Sequence, residues 1–127
     1  MIRNYLFIKD TPGKGRGVYT RERIPAKTII EDSPVIVMTN EERTLLDQTL
    51  LHDYIFEWGP EKKSCCMALG YIAVYNHSYK SNCEYFMDFE SETIQVKTVR
   101  QIEAGEEVTF NYNGTWDDDK KVWFEVK

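Results

Sequence analysis

Residues 75–82 read "YNHSYKSN", Tyr75 to Asn82. An asparagine and a histidine stand side by side straight after an apolar run, and a second asparagine closes the segment. The pair is not a zinc motif, because only His77 is a good ligand. It is not a nucleophilic dyad either, since Ser78 is the one nucleophile close by. An asparagine amide carries a donor and an acceptor together. It suits a pocket that reads a ligand offering both, such as the ammonium and carboxylate of an amino acid. Taken alone, such a segment is most often a satisfied polar loop, and the rest of the chain must decide.

The chain has 127 residues, 42% hydrophobic and 29% charged. That length makes one domain, able to bury a single core without metal or disulfide staples. No apolar run approaches the ~20 residues needed to cross a bilayer. The opening "MIRNYLFIKD" meets a charge early and lacks a small-residue cleavage site, so an intracellular protein with no leader is expected. Three cysteines, Cys65, Cys66 and Cys83, are an odd number with two adjacent, which points to reduced thiols in or near the core. Neither their spacing nor the lone histidine suggests a metal site. Sixteen basic against twenty-one acidic residues give a net charge of −5. This argues against direct nucleic-acid binding, which needs a basic footprint, and favours a cationic partner.

The pattern along the chain predicts many short strands and one clear helix. "RNYLFIK" reads as a strand, "TPGKGRG" as a Pro/Gly turn and "VYT" as a short strand. "TIIEDSPVIVMT" reads as two β pieces broken at Ser33-Pro34. Thr39 followed by Glu42 is a capping box, and Leu46, Leu50 and Tyr54 then share a helical face. "DYIFEW" favours a strand, and "SCCMALGYIAVY" a strand broken at Gly70 before a short helix. "EYFMDFE" and "TIQVKTVR" form a hairpin about the "SE" turn, with Ile94, Val96 and Thr98 on one face. "EAGEE" turns into "VTFNY", where Phe110 and Tyr112 point the same way. The tail "NGTWDDDKKVWFEVK" carries Trp116, Trp123 and Phe124, more aromatics than a disordered tail usually holds.

"GKGRG" matches neither a dinucleotide fingerprint nor a phosphate loop, since no helix follows and the terminal Gly-Lys-Ser/Thr is missing. "YNHSYKSN" and "EEVTFNYN" are weak signals separately. Their order is not. "GRGVYT", "YNHSYKSN" and "IEAGEEVTFNYNG", taken in sequence from about Lys14 to Tyr112, resemble the motifs of SET-domain protein-lysine methyltransferases. "TIIEDSPVIV" is similar to the family's early strand pair, with Glu31 where a glutamate is frequent. The compact form is similar to minimal SET proteins of viruses and bacteria. Departures stand at Ala73-Val74, at Ser81-Asn82 and at Asn111-Tyr112. The three-cysteine zinc module that often follows the domain is absent.

The resemblance implies a single SET domain over 1–127, with 113–127 as a C-terminal segment lacking a zinc module. The fold it implies is mainly β and β-clip-like: several short curved sheets, one or two short helices, and a C-terminal strand threaded through a loop. It implies S-adenosyl-L-methionine as cofactor, held by Lys14, Arg16, Gly17, Asn76, His77 and Tyr112. The Asn76 amide would meet the amino-acid end and the His77 backbone the adenine. Tyr112 would be the catalytic residue. Phe110, Tyr75 and Tyr71 would line the lysine channel, with Phe110 at the aromatic position that sets the number of methyl groups; phenylalanine there favours di- or trimethylation. Trp116, Trp123 and Phe124 are candidates to close the site. The implied partner is a basic, lysine-containing protein or peptide, for which a histone tail is one fit. That would place the enzyme in the cytoplasm or, acting on histones, in the nucleus; a membrane has no part in it, and a homodimer stays open. Two alternatives remain: a catalytically weak SET-like module that binds cofactor or peptide, and a structural β domain that assembles through its acidic face.

Overall fold

The protein, as a computed structural model, is described over residues 1–112. Trp116, Trp123 and Phe124 lie outside the described residues. Among the described residues there are nine strands: β1 (Leu6–Thr11), β2 (Gly15–Thr20), β3 (Ile29–Met38), β4 (Phe56–Trp58), β5 (Ser64–Ala68), β6 (Asn76–His77), β7 (Cys83–Asp88), β8 (Thr93–Thr98) and β9 (Glu107–Phe110). In pairing order they run β1-β2-β9-β7-β8-β3-β5-β4, with β6 added against β9. Apolar side chains from nearly every strand meet in one core built on Val18, Ile24, Ile30, Ile72, Ile94, Val96, Ile102, Val108 and Phe110. The three cysteines are free and buried there, as their odd number suggested. Among the described residues no helix is long and apolar enough to cross a membrane.

The β-rich reading holds, and so does the alternation in β8: Ile94, Val96 and Thr98 are all buried. Four local expectations need correction. The first turn is shorter than predicted, because Gly15, Arg16 and Gly17 already belong to β2 and pair with Thr11, Asp10 and Lys9. Ser33-Pro34 does not break the strand but marks a change of partner: Ile29–Pro34 pairs with β8, and Val35–Met38 with β5. Proline has no N–H to give a second ladder, so the handover falls where a donor is missing. The hairpin between β7 and β8 has a wider loop than "SE", since Asp88 pairs with Thr93.

The helix is the fourth correction. Thr39 caps it through the reciprocal bonds with Glu42, as the capping box predicted. Yet α1 spans only Asn40–Leu46, and a separate 3-10 turn covers Leu50–Asp53. Thr49 separates them: its hydroxyl donates to the Leu46 carbonyl and accepts from the Leu51 N–H. A hydroxyl that bonds its own neighbouring backbone competes with helix propagation. Leu46, Leu50 and Tyr54 therefore do not form one buried stripe, and Leu50 is among the most exposed apolar residues.

Strand β9 decides the topology. β2 covers its first half, pairing Val18 with Val108 and Tyr19 with Glu107. Beyond that point β6 runs parallel to it, with Asn76 opposite Thr109 and His77 opposite Phe110. On the other edge Cys83 of β7 also pairs with Phe110. One segment, 77–83, thus flanks the same strand on both edges, and β9 passes between its arms. This is the threaded arrangement. Asn82 completes it, donating from Nδ2 to the Glu107 carbonyl (2.9 Å) and accepting at Oδ1 from the Thr109 N–H (2.9 Å).

Replacing Asn82 by alanine strands a buried N–H and a carbonyl, each costing about 1–3 kcal/mol. We expect Asn82→Ala to lose about 2–4 kcal/mol in urea denaturation. A loss below ~1 kcal/mol would show that water replaces the carboxamide without penalty.

Candidate active site

Tyr75, Asn76 and His77 form a short extended stretch, so their side chains alternate. Tyr75 and His77 are buried, while Asn76 between them is only partly so. The two faces carry different chemistry, which explains why an asparagine sits next to a histidine here.

On the Asn76 face everything is polar. Its Nδ2 donates to the Arg16 carbonyl (3.2 Å) and to Glu107 Oε2 (2.7 Å). Lys14 Nζ stands 4.0 Å from Glu107 Oε1. Gly17 lies in the same corner: a Cβ built on it would fall 2.5 Å from Glu107 Oε2, 2.7 Å from Thr11 Oγ1 and 2.8 Å from Asn76 Nδ2. Only glycine lets the β2 backbone come this close. Lys14, Arg16 and Gly17 thus meet Asn76, far from them in sequence, in one corner.

On the other face the groups are aromatic. His77 accepts at Nδ1 from the Tyr112 N–H (3.0 Å), which puts the proton of the neutral ring on Nε2. Burial, with Lys14 adding to it, pushes the His77 pKa down, so the ring is neutral at physiological pH. Its ring meets Tyr79 edge-on at 4.5 Å and Tyr112 at 5.2 Å. Phe110 is fully buried, stacked on Tyr75 at 5.0 Å and tilted against Tyr85 at 4.9 Å and Tyr112 at 5.7 Å. The Tyr112 hydroxyl donates to the Tyr75 carbonyl (2.7 Å). Burial first, then the neighbouring Tyr85, Tyr54 and Glu107, push its pKa up to about 12. Tyr71 is set apart from this group: its N–H donates to Glu31 Oε2, and its side chain is half-buried at the edge of the core.

Glu31 anchors the aromatic face from below. It is fully buried and accepts from the Tyr75 hydroxyl (2.9 Å), the Ser33 hydroxyl (2.7 Å) and the Tyr71 N–H (2.8 Å). Burial raises its pKa, against these three bonds. A β-bulge between Ile29 and Glu31 lets both Ile30 and Glu31 turn inward although they are adjacent. Gly70, at φ +66°, passes so near that a Cβ would collide with Glu31 Oε2 and Ser33 Oγ. The sequence pattern gave no role to Glu31 beyond a matching position, and none to Glu107. Glu31 follows two isoleucines in a β run, which was the one local signal for it; Glu107 follows Glu106 in a charged turn and carried none.

Comparison with known proteins agrees with this geometry. The family model described as SET domain matches residues 15–113. A histone-lysine N-methyltransferase specific for H3 lysine-37 from Schizosaccharomyces pombe is 36% identical over 126 residues, covering 98% of this chain and 80% of that protein. The crystal structure of a Plasmodium falciparum protein assigned as a histone methyltransferase superposes with a TM-score of 0.66 at 28% identity, covering 91% of this chain and 98% of that one. The ordered motifs, the strand β9 held between the arms of 77–83 and the family match lead to one conclusion: the chain belongs to the SET-domain family of protein-lysine methyltransferases.

Proposed function

We propose that the protein transfers methyl groups from S-adenosyl-L-methionine to a lysine side chain of a basic protein segment, with a histone tail as the substrate of choice and the nucleus as the place of action. The observation that carries this is the partition at Asn76–His77: a polar corner and an aromatic, desolvated cluster lie on opposite faces of one two-residue strand. The polar corner suits the amino-acid end of the cofactor. It offers an ammonium from Lys14, an amide from Asn76, main chain at Arg16 and the bare Cα of Gly17. Ser78, not His77, sends its N–H to the Phe110 carbonyl. In a parallel ladder neighbouring residues face opposite edges, so the His77 main chain turns away from β9, on the side this reading assigns to the adenine.

Bound there, S-adenosyl-L-methionine supplies an electrophilic methyl on a sulfonium. The protein's own task is to deliver a neutral amine in line with it. A free lysine has a pKa of about 10.4, so neutralising it near pH 7.4 costs roughly 4 kcal/mol. Tyr75, Tyr85, Phe110 and Tyr112 provide a setting that disfavours the ammonium. Tyr112, with its pKa pushed up to about 12, keeps its proton at physiological pH. In this reading it orients the reacting groups by hydrogen bonding. Alignment of amine, methyl and sulfur then supplies most of the acceleration. The net charge of −5 favours a cationic substrate such as a histone tail.

Calorimetry with S-adenosylhomocysteine, and mass spectrometry of histones and basic peptides incubated with cofactor, test the proposal. Binding without any methyl transfer would favour the cofactor- or peptide-binding module instead. Asn76→Ala is expected to weaken cofactor affinity by about 1.5–3 kcal/mol, the value of a hydrogen bond to a charged group. Unchanged affinity in a folded variant would remove Asn76 from the site. Tyr112→Phe is expected to lower kcat by about 10²-fold or more while cofactor affinity stays within a few-fold; a near-normal rate would place the orienting role elsewhere. Phe110 carries no hydroxyl, leaving room for a methylated amine to turn and react again, so di- or trimethyllysine is the expected product. Phe110→Tyr is expected to shift the product toward monomethyllysine at long incubation. Exclusive monomethylation by the unmodified protein would contradict the assignment.

A further inference from the structure

Asn76 has one amide nitrogen with two hydrogens, and both are spent inside the protein. One goes to the Arg16 carbonyl at 3.2 Å, the other to Glu107 Oε2 at 2.7 Å. A carbonyl and a carboxylate can only accept, so the carboxamide cannot be turned over: Oδ1 in the Nδ2 position would face two acceptors. The donor half of Asn76 is thus unavailable to a ligand, and what it presents is the acceptor Oδ1. The expectation that this side chain reads both a donor and an acceptor is corrected here. It reads a donor.

We infer that Glu107 is a positioning residue of the cofactor site, which fixes the Asn76 carboxamide so that the site selects the α-ammonium of its ligand. The inference rests on the cofactor assignment proposed above. Three observations support it independently of the asparagine's rotamer. Glu107 opens β9 at a position paired with Tyr19, so its backbone is held on both sides: by β2, and through its carbonyl by the Asn82 amide. Its carboxylate is largely buried, with a side-chain exposure of 17%, and its other oxygen faces Lys14 at 4.0 Å. Finally, Gly17 leaves this carboxylate the room to reach Asn76, since a Cβ there would lie 2.5 Å from Oε2. A carboxylate this enclosed is costly unless its bonds are made. The bond to Asn76 and the attraction of Lys14 meet that cost. They also divide the labour of the corner: Lys14 is placed for the ligand's carboxylate, Asn76 Oδ1 for its ammonium, and Glu107 keeps the two apart and oriented.

The experiment is a calorimetric comparison of two probes, S-adenosylhomocysteine and its analogue lacking the α-amine, on the unmodified protein and on Glu107→Ala and Glu107→Gln. The unmodified protein should prefer the amine-bearing probe by tenfold or more. In Glu107→Ala that preference should collapse to about twofold, with affinity for the deaminated analogue nearly unchanged. Glu107→Gln keeps the side-chain volume but can accept from, or donate to, a flipped Asn76, so an intermediate preference is expected. It carries the test if the alanine variant does not fold. Equal weakening of both probes would reduce Glu107 to a structural role, and unchanged preference would remove it from the site; either overturns the inference. If the unmodified protein binds neither probe, it is the cofactor assignment that fails.

Discussion

The carboxamide of Asn82 does the work of a neighbouring strand, and the site is arranged around that substitution. Strand β9 needs partners on both edges because it runs through the interior, where a bare N–H or carbonyl is expensive. On one edge β2 and then β6 supply them. On the other, β7 begins only at Cys83, opposite Phe110, and leaves the first residues of β9 exposed to nothing but side chains. Asn82 fills that gap with one donor and one acceptor, a planar amide in place of a peptide. Its position just before Cys83 follows: the chain must cross β9 between His77 and Cys83, and the last residue of the crossing is the one that can reach back along the strand.

Once β9 is held, Phe110, Asn111 and Tyr112 emerge beside Tyr75 and His77, and a second constraint fixes how the rings meet. Glu31 is a buried carboxyl group whose three donors come from its own strand, from the N–H of Tyr71 and from the hydroxyl of Tyr75. The hydroxyl bond sets the tilt of the Tyr75 ring, the ring stacks on Phe110, and the Tyr75 carbonyl receives the Tyr112 hydroxyl. Glycine at position 70 is what permits the 71–75 segment to lie close enough to Glu31. A buried carboxylate with its bonds made rigidifies such a cluster, whereas one left short of a bond would loosen it.

Much of this was legible in the sequence, and the limits have physical reasons. The β-rich class, the capping box at Thr39, the buried cysteines and the face of β8 followed from local patterning, because each is decided within a few residues. The convergence of Lys14, Arg16 and Gly17 with Asn76 came from the order of motifs; no local rule brings residues 14 and 76 together. The length of α1 was misread because the apolar spacing of Leu46, Leu50 and Tyr54 says nothing about the Thr49 hydroxyl that interrupts the helix. The unbroken β3 was misread because a proline in a strand forbids one hydrogen bond, not the strand. Glu31 and Glu107 could not be interpreted from composition at all. A carboxylate is ordinarily a surface residue, and what marks these two is the set of donors that distant segments bring to them.

The short strand β6 then has a meaning that its length conceals. Two residues are too few for a stable strand by themselves, but enough for one reversal of side-chain direction. That reversal separates a polar corner, with Lys14, Glu107 and Asn76, from an aromatic cluster, with Tyr75, His77, Phe110 and Tyr112. The two offer different surroundings: the polar corner supplies fixed charged and hydrogen-bonding partners, and the aromatic cluster supplies a setting where water is scarce and an amine is kept neutral. In the proposed reaction a sulfonium and a lysine must meet across that boundary. A longer strand would carry the same alternation further along both faces. A single Asn-His step sets the two faces back to back with one backbone thickness between them.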